Sequence, residues 1–286
     1  MPARFRTGVR NGLDVVEIDA AAATAEVALQ GAQLLSFVPR GGRDWLWVSG
    51  RARWAPGAAL RGGIPICFPW FGAHPTQPSL PAHGFARTRP WGLAGVQEIG
   101  DSVRVDLTLA SDEATLALFP HPFAARLEIT VGDDLGLAFE VSNPGDAPLS
   151  FEVALHSYLA VADLDQIAIE GLGGCPFVDK VAGGARRREG EAPLRIAGEV
   201  DRVYDSEGPV TLIDPAGGRS LRLESAGAGS TVVWNPAAAK TATLTDMTPD
   251  GFRRFVCVET GAIGARRVTV GPGQMHRLKA LYRAAG

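Results

Sequence analysis

Residues 127–143 read LEITVGDDLGLAFEVSN, in which apolar and polar side chains alternate on both sides of a Gly-Asp-Asp segment. Alternation with a period of two places the apolar side chains on one face of a β-strand. Glycine and aspartate favour turns, because glycine accepts positive φ and aspartate bonds to nearby backbone. The segment therefore predicts two strands separated by a turn.

The same alternation recurs in short runs, among them DVVEIDA (14–20), TAEVALQ (24–30), VRVDLTLA (103–110), STVVWN (230–235) and RFVCVET (254–260). Turn-forming residues such as NPGDAP (143–148) separate the runs. Helical periodicity is confined to residues 111–119, where Ser111 is expected to cap one short helix that ends before Pro120. Many short strands with few helices predict an all-β sandwich or barrel.

The chain of 286 residues contains no Pro/Gly/Ser-rich linker and no repeat of fixed period. We therefore expect one domain covering residues 1–286, because β-sandwiches of this size commonly form a single unit. No apolar leader or membrane-length apolar run is found either, so we expect a soluble, cytoplasmic protein.

The formal net charge of −3 gives no general attraction to nucleic acid or to an anionic membrane. Any anion must then be recognised by a few placed Arg or Lys side chains. The three cysteines, Cys67, Cys175 and Cys257, are too widely spaced for a metal motif and are expected to be buried free thiols. Nucleotide-binding loops and the G-x-S-x-G elbow are absent, and no metal or other cofactor is predicted.

Five histidines occur, of which His74, His121 and His276 have structural settings. His83 lies in HGFAR (83–87); if this segment is extended, His83, Phe85 and Arg87 project to one face and suit a sugar. A solvated loop that carries His and Arg by chance is the alternative.

Three further candidates come from other runs. His156 alternates with the apolar triad of FEVALHSYL (151–159), so it faces away from that triad, as either a general acid or a structural histidine. Arg61 precedes two glycines that would let backbone bend around an anion, or it points to water. Glu259 is expected at a strand end, where it would enter a cleft or lie on the surface.

Together these runs carry a resemblance to a known family. ALRGGIPICFPWFG (59–72), PAHGFART (81–88), ALHSYL (154–159), EVDRVYD (199–205), VVWNP (232–236) and DMTPDGFRRFVCVETG (246–261) occur in the order found in the hexose-6-phosphate mutarotases, a branch of the aldose 1-epimerase-like family. The chain resembles them from about residue 10 to residue 282.

The resemblance implies a galactose-mutarotase-like β-supersandwich of mainly antiparallel strands, with the sugar on the concave face of a large sheet. It implies His156 as general acid and Glu259 as general base. His83 would bind near the ring oxygen and Asp201 would bind hydroxyls, whereas Arg61 and Arg87 would bind substrate and phosphate. Lys240 is a weaker phosphate candidate. The implied partner is a small-molecule phosphosugar, and we expect a monomer.

Two departures from the family pattern affect the sugar fit: Ala237 replaces an aromatic residue after WNP, and Cys175 begins a Cys-Pro-Phe where relatives commonly carry Tyr. The implied reaction opens and recloses the hemiacetal by proton transfer alone. Three alternatives stay open: a mutarotase for unphosphorylated aldoses, a sugar-binding protein without catalysis, and a glycosidase that pairs Glu259 with Asp201.

Overall fold

The computed structural model describes residues 4–285, and the predicted domain limits at residues 1 and 286 lie outside this range. The described residues form these strands: β1 (Phe5–Arg10), β2 (Leu13–Asp19), β3 (Ala23–Ala28), β4 (Gln33–Pro39), β5 (Ile66–Cys67), β6 (Gly92–Ile99), β7 (Ser102–Ala110), β8 (Ala124–Val131), β9 (Leu135–Ser142), β10 (Leu149–Phe151), β11 (Val153–Leu155), β12 (Tyr158–Ala160), β13 (Ala168–Glu170), β14 (Pro176–Asp179), β15 (Ala185–Arg188), β16 (Val200–Tyr204), β17 (Val210–Asp214), β18 (Arg219–Ala226), β19 (Ser230–Asn235), β20 (Phe255–Ala262), β21 (Val268–Val270) and β22 (Met275–Ala285).

Helices are few and short, as predicted. They are α1 (Glu113–Leu118), α2 (Ala237–Thr241) and the 3₁₀ segments Ala86–Thr88, Leu164–Gln166, Gly251–Arg254 and Gly264–Arg266. The predicted cap of α1 is wrong by one residue: Asp112, not Ser111, accepts the Thr115 N–H at 2.7 Å. The Thr115 hydroxyl in turn accepts the Asp112 N–H, and this reciprocal capping box fixes the start of the helix.

Two large sheets dominate the fold. Sheet I has the order β15-β14-β16-β19-β20-β11-β5, with β12 also paired to β20, and sheet II has the order β13-β17-β18-β22-β9-β8-β7-β6. A four-stranded sheet, β1-β2-β3-β4, and the pair β10-β21 complete the strand pairing. The pairs within the two large sheets run antiparallel. The all-β prediction is thus confirmed.

The hairpin predicted from residues 127–143 is β8–β9 of sheet II. Leu127 pairs with Phe139 and Ile129 with Leu137, and all four side chains are buried. They belong to the same apolar cluster as Val256 and Val258 of β20, so the inner faces of sheets I and II pack on each other.

Strand β20 has two unlike faces because successive side chains alternate. Val256 and Val258 face the main core, whereas Phe255 and Cys257 join a smaller cluster with Tyr158 and Met247. Glu259 follows the same alternation onto the second face. The predicted strand end at Glu259 is wrong, since β20 continues through Gly261 to Ala262.

The main core is centred on Phe68, which directly follows β5. Its fully buried ring makes edge contacts with the rings of Phe85, Phe119, Phe123, Phe139 and Phe151, at centroid distances of 5.2–6.4 Å. Phe139 lies on β9 of sheet II and Phe151 on β10, and the other three rings come from segments between the strands. Phe68 therefore ties the loop before the HGFAR segment to the core.

We predict that Phe68→Ala lowers the free energy of unfolding by about 3–5 kcal/mol, the usual cost of truncating a buried phenylalanine. Chemical denaturation checks this, with Val9→Ala as the control, because Val9 is 69% exposed and its truncation should change stability by less than about 0.5 kcal/mol. Equal stability of the two variants would contradict the assigned role of Phe68.

Candidate functional site

All six residues predicted for the site line one cavity of about 410 Å³. They are Arg61, His83, Arg87, His156, Asp201 and Glu259. The volume is in the range typical of small-molecule sites. The structure therefore brings all six side chains together at one cavity, and their roles stay a prediction.

Two of the six predicted residues, His156 and Glu259, contact each other directly. Strand β11 pairs Leu155 with Thr260, and β12 pairs Tyr158 with Cys257, so residues 156 and 157 interrupt the ladder opposite residues 258 and 259. This interruption brings the His156 Nε2 atom to 3.4 Å from the Glu259 Oε1 atom. His156 is 6% exposed and Glu259 is 1% exposed, so both groups are shielded from bulk water.

Burial dominates the electrostatics of this pair. It raises the pKa of Glu259 well above its usual value, and the nearby Asp201 carboxylate raises it further. Burial also lowers the pKa of His156 well below its usual value, and the positive charge on Arg87 acts in the same direction. The uncharged form of each group is therefore favoured in the empty cavity.

Each member of the pair keeps one polar atom free. Within residues 4–285, the His156 Nδ1 and Glu259 Oε2 atoms have no hydrogen-bond partner. Buried polar atoms are normally paired, so each of the two groups retains an unused hydrogen-bonding position.

Tyr158 connects the imidazole to the cationic side of the site. Its ring stacks on the His156 ring at a centroid distance of 4.8 Å, and its hydroxyl accepts a hydrogen bond from Arg61 Nη1 at 3.1 Å. Trp234 meets the His156 ring edge-on at 5.9 Å. These contacts fix the plane of the imidazole.

The HGFAR segment is not extended, which corrects the predicted geometry. His83 and Gly84 have φ values of 64° and 70°, and Phe85 points into the core, where it is 1% exposed. A Cβ atom at Gly84 would clash with the carbonyl oxygen of Phe68, so glycine permits a close backbone approach there. His83 and Arg87 still reach the cavity, but Phe85 does not.

His83 is oriented by its own loop. Its Nδ1 atom accepts the Gly72 N–H at 3.3 Å, and its ring lies edge-on to Phe71 at 4.8 Å. Burial, assisted by the positive charge of Arg87, lowers the pKa of His83 to about 3. A neutral ring that accepts at Nδ1 carries its proton at Nε2, so His83 can donate one hydrogen bond.

Asp201 faces the cavity from the third strand of sheet I. It pairs with Trp234 across β16 and β19, and Trp234 pairs with Cys257 on β20, so the three side chains share one face. Burial raises the pKa of Asp201, and the Lys180 charge, with its Nζ atom 4.0 Å from Asp201 Oδ1, opposes the rise.

The two predicted arginines differ in their partners. Arg61 Nη2 lies 3.1 Å from Asp246 Oδ2; burial would lower its pKa, but Tyr158 and Asp246 outweigh this and the pKa is raised. Arg87 has no carboxylate within 4.0 Å in the described chain; its Nη2 atom donates to the Ala82 carbonyl at 2.7 Å, and its Nε atom has no partner. Both also line an adjoining cavity of about 450 Å³.

The glycines after Arg61 are required by close packing. A Cβ atom at Gly62 would clash with Trp47, and one at Gly63 would clash with the Leu34 carbonyl oxygen. Neighbouring backbone lies too close for any larger residue, and the expectation that these glycines bend backbone around an anion stays a prediction.

Sequence reasoning missed Lys180, Asp246, Phe71 and Trp234, all of which lie at or beside the cavities. Lys180 follows Asp179 at the end of β14 and stands 4.5 Å from the Phe71 ring centre. No motif marks it, because its place in the cavity depends on the pairing of β14 with β16. Lys240, the weaker candidate, also lines the cavity and pairs with Glu199 at 2.8 Å.

The cysteine prediction is partly confirmed. All three thiols are free, and Cys67 and Cys257 are buried, but Cys175 is only half-buried. Cys257 lies beside His156 and Glu259, and one ligand atom from each of the three residues falls within 4.8 Å of the others. Residue spacing does not reveal this cluster, because His156 lies between β11 and β12 whereas Cys257 and Glu259 lie on β20, far along the chain.

Comparison of the sequence with known families identifies the family of the chain. The family model described as "Aldose 1-epimerase" matches residues 14–283. The chain belongs to the aldose 1-epimerase family. The predicted family and the predicted isomerase class, with interconversion of sugar anomers, are thereby confirmed.

Individual relatives extend this result. A protein of Escherichia coli strain K12 named "Putative glucose-6-phosphate 1-epimerase" is 35% identical over 249 residues, which cover 87% of this chain and 83% of that protein. The crystal structure of a "putative mutarotase" from Salmonella typhimurium superposes with a TM-score of 0.92 at 33% identity, covering 98% of this chain and 93% of the other.

A galactose mutarotase-like protein from Lactobacillus casei superposes with a TM-score of 0.74 at 20% identity, covering 95% of this chain and all of the other. This likeness confirms the predicted galactose-mutarotase-like fold. Among residues 4–285, no helix combines the length and hydrophobicity needed to cross a bilayer.

We predict that the His156 ring stays neutral at pH 6.5, where half of all free imidazoles carry a charge, because burial lowers its pKa. Histidine ¹⁵N NMR over a pH series checks this, with the resonance assigned by its loss in His156→Gln. A His156 midpoint at or above 6.5 would contradict the expectation.

Proposed function

We propose that the protein interconverts the α and β anomers of a hexose 6-phosphate, most directly glucose 6-phosphate, by opening and reclosing the sugar ring. The observation that carries the proposal is the buried His156–Glu259 pair, with 3.4 Å between its nearest atoms, in a cavity that also contains Arg87 and Lys180. The name of the Escherichia coli relative supports the same substrate.

In the proposed reaction Glu259 takes the proton of the C1 hydroxyl while His156 gives a proton to the ring oxygen. The bond between C1 and the ring oxygen then breaks, and C1 becomes an aldehyde carbon. Rotation about the C1–C2 bond exposes the other face of the aldehyde. In reclosure Glu259 returns its proton to the C1 oxygen, and His156 takes back the proton of the hydroxyl that attacks C1, so the enzyme is unchanged after one cycle.

Burial assists the opening step in this scheme. The neutral pair favoured in the empty cavity becomes the reactive imidazolium–carboxylate pair when one proton passes from Glu259 to His156. Ring opening starts from this charged pair and ends as neutral imidazole and carboxylic acid, so it removes two buried charges. The low polarity that raises the pKa of Glu259 and lowers the pKa of His156 favours that change. The net result of opening is that one proton moves from His156 to Glu259 through the sugar.

Other residues would orient the pyranose. Asp201 offers a carboxylate acceptor for a sugar hydroxyl, and His83 offers its Nε2–H as a donor. The rings of Phe71 and Trp234 stand at the same cavity and can cover the C–H face of the sugar. These roles require no group beyond the side chains of this chain.

Phosphate recognition is assigned first to Arg87. The guanidinium of Arg61 already contacts Asp246, and Lys240 already contacts Glu199, whereas Arg87 has no carboxylate within 4.0 Å in the described chain. A guanidinium matches the oxygens of a phosphate in a planar fork. Arg87 therefore keeps a positive charge that no nearby carboxylate neutralises, and a bound phosphate can neutralise it.

We predict that Glu259→Gln slows the catalysed anomer exchange of glucose 6-phosphate by about 10²–10⁴-fold, because the amide cannot accept the proton. Exchange NMR measures the rate after the spontaneous exchange is subtracted, and calorimetry measures sugar binding, which should persist. Glu113→Gln, an exposed change on α1, is the control. A wild-type rate in Glu259→Gln would remove Glu259 from the base role.

We also predict that Arg87→Met lowers kcat/KM for glucose 6-phosphate, relative to free glucose, by about ten- to a hundred-fold, the worth of one hydrogen bond to a charged group. Arg51→Met is the control, since Arg51 is exposed and lines neither cavity. If the wild-type protein handles glucose and glucose 6-phosphate equally well, the phosphosugar assignment fails and a mutarotase for free aldoses replaces it.

A further inference from the structure

Cys257 adds a third ligating group to the buried acid–base pair. Cys257 and Glu259 are two residues apart on β20 and share one face of sheet I, and β12 pairs Tyr158 with Cys257 next to His156. One ligand atom from each of the three residues lies within 4.8 Å of the other two. All three side chains are buried.

The set of thiol, imidazole and carboxylate is one that Zn²⁺ and related soft cations prefer. Tetrahedral Zn²⁺ with bonds of about 2.0 Å to N and O keeps these two atoms about 3.3 Å apart, and His156 Nε2 lies 3.4 Å from Glu259 Oε1. The Cys257 sulfur lies within 4.8 Å of the other two ligand atoms, whereas tetrahedral Zn²⁺ separates S from N or O by about 3.5 Å, so the sulfur must approach by up to about 1.3 Å. Small rotamer adjustments therefore complete three of the four ligand positions.

Hydrogen bonding and charge favour the same conclusion. Glu259 Oε2 has no partner in the described chain, so ligation by this carboxylate costs no internal hydrogen bond at that atom. When the thiol loses its proton to solvent and forms the sulfur–metal bond, one thiolate and one carboxylate neutralise a divalent cation. A neutral assembly is the form that a buried site tolerates best.

We propose that His156, Cys257 and Glu259 form a binding site for Zn²⁺ or Cd²⁺, entered from the cavity, and that the bound cation excludes the sugar. His156 and Glu259 line the cavity, which leaves the fourth ligand position facing it. Mg²⁺ and Ca²⁺ do not bind, because they require several oxygen ligands. The inhibitory consequence, unlike the binding itself, rests on the proposed function.

Binding is tested with Cd²⁺, whose bond to a thiolate gives an ultraviolet charge-transfer band. The full-length protein should bind one Cd²⁺ per chain with this band, and glucose 6-phosphate should compete with it. Cys257→Ala should lose the band, whereas Cys67→Ala and Cys175→Ala, which remove the other two thiols, should keep it. Circular dichroism verifies that each variant is folded, and Cys257→Ser repeats the test with a near-isosteric side chain.

A band that survives in Cys257→Ala and in Cys257→Ser, or the absence of any band in the wild-type protein, overturns the site.

Inhibition is tested by measuring the rate of anomer exchange with added metal. Zn²⁺ should slow the exchange and Mg²⁺ should not. Loss of Cys257 should weaken inhibition by Zn²⁺ by at least roughly 10–100-fold, which is the effect of removing a residue that only supports a metal ligand. Inhibition is expressed relative to each variant's own rate without metal.

The two proposals fail in different ways. Cd²⁺ binding that depends on Cys257 but leaves anomer exchange unaffected would support the metal site and overturn the acid–base roles. A missing band together with a large rate loss in Glu259→Gln would overturn the metal site and leave the acid–base roles in place.

Discussion

The burial of His156 and Glu259 against each other is the constraint on which the site depends. Two titratable groups held 3.4 Å apart and almost fully buried are costly unless their charges are removed or compensated. The ladder interruption between β11 and β12 keeps them together, and stacking on Tyr158 fixes the imidazole. In the proposed reaction, the same low polarity that makes the charged pair costly favours proton transfer between the pair and the sugar.

The loops around the pair are positioned by close backbone approaches. Gly63 lies against Leu34 and Gly84 against Phe68, at distances that leave no space for a Cβ atom. Phe68 then anchors this region in the main core, to which both large sheets contribute. Packing outside the cavity therefore holds the cavity wall in place. Arg61 and Arg87 lie on this wall, next to the two close approaches.

Much of the architecture could be predicted from local sequence. Alternation in residues 127–143 is sufficient for the β8–β9 hairpin, because burial on one face of a strand sets the period. The pairing of His156 with Glu259 was available only through the family resemblance, since His156 lies between β11 and β12 and Glu259 lies on β20, about a hundred residues later. The backbone at His83, the cavity position of Lys180 and the contact of Cys257 with the pair depend on long-range packing, which residue spacing does not encode.

The most direct test of this account is a crystal structure of Glu259→Gln with bound glucose 6-phosphate. We predict that the C1 hydroxyl lies within hydrogen-bond distance of residue 259, that the ring oxygen lies at His156 and that the phosphate lies at Arg87. A sugar bound with C1 directed away from residue 259, or with its phosphate distant from Arg87, would contradict it.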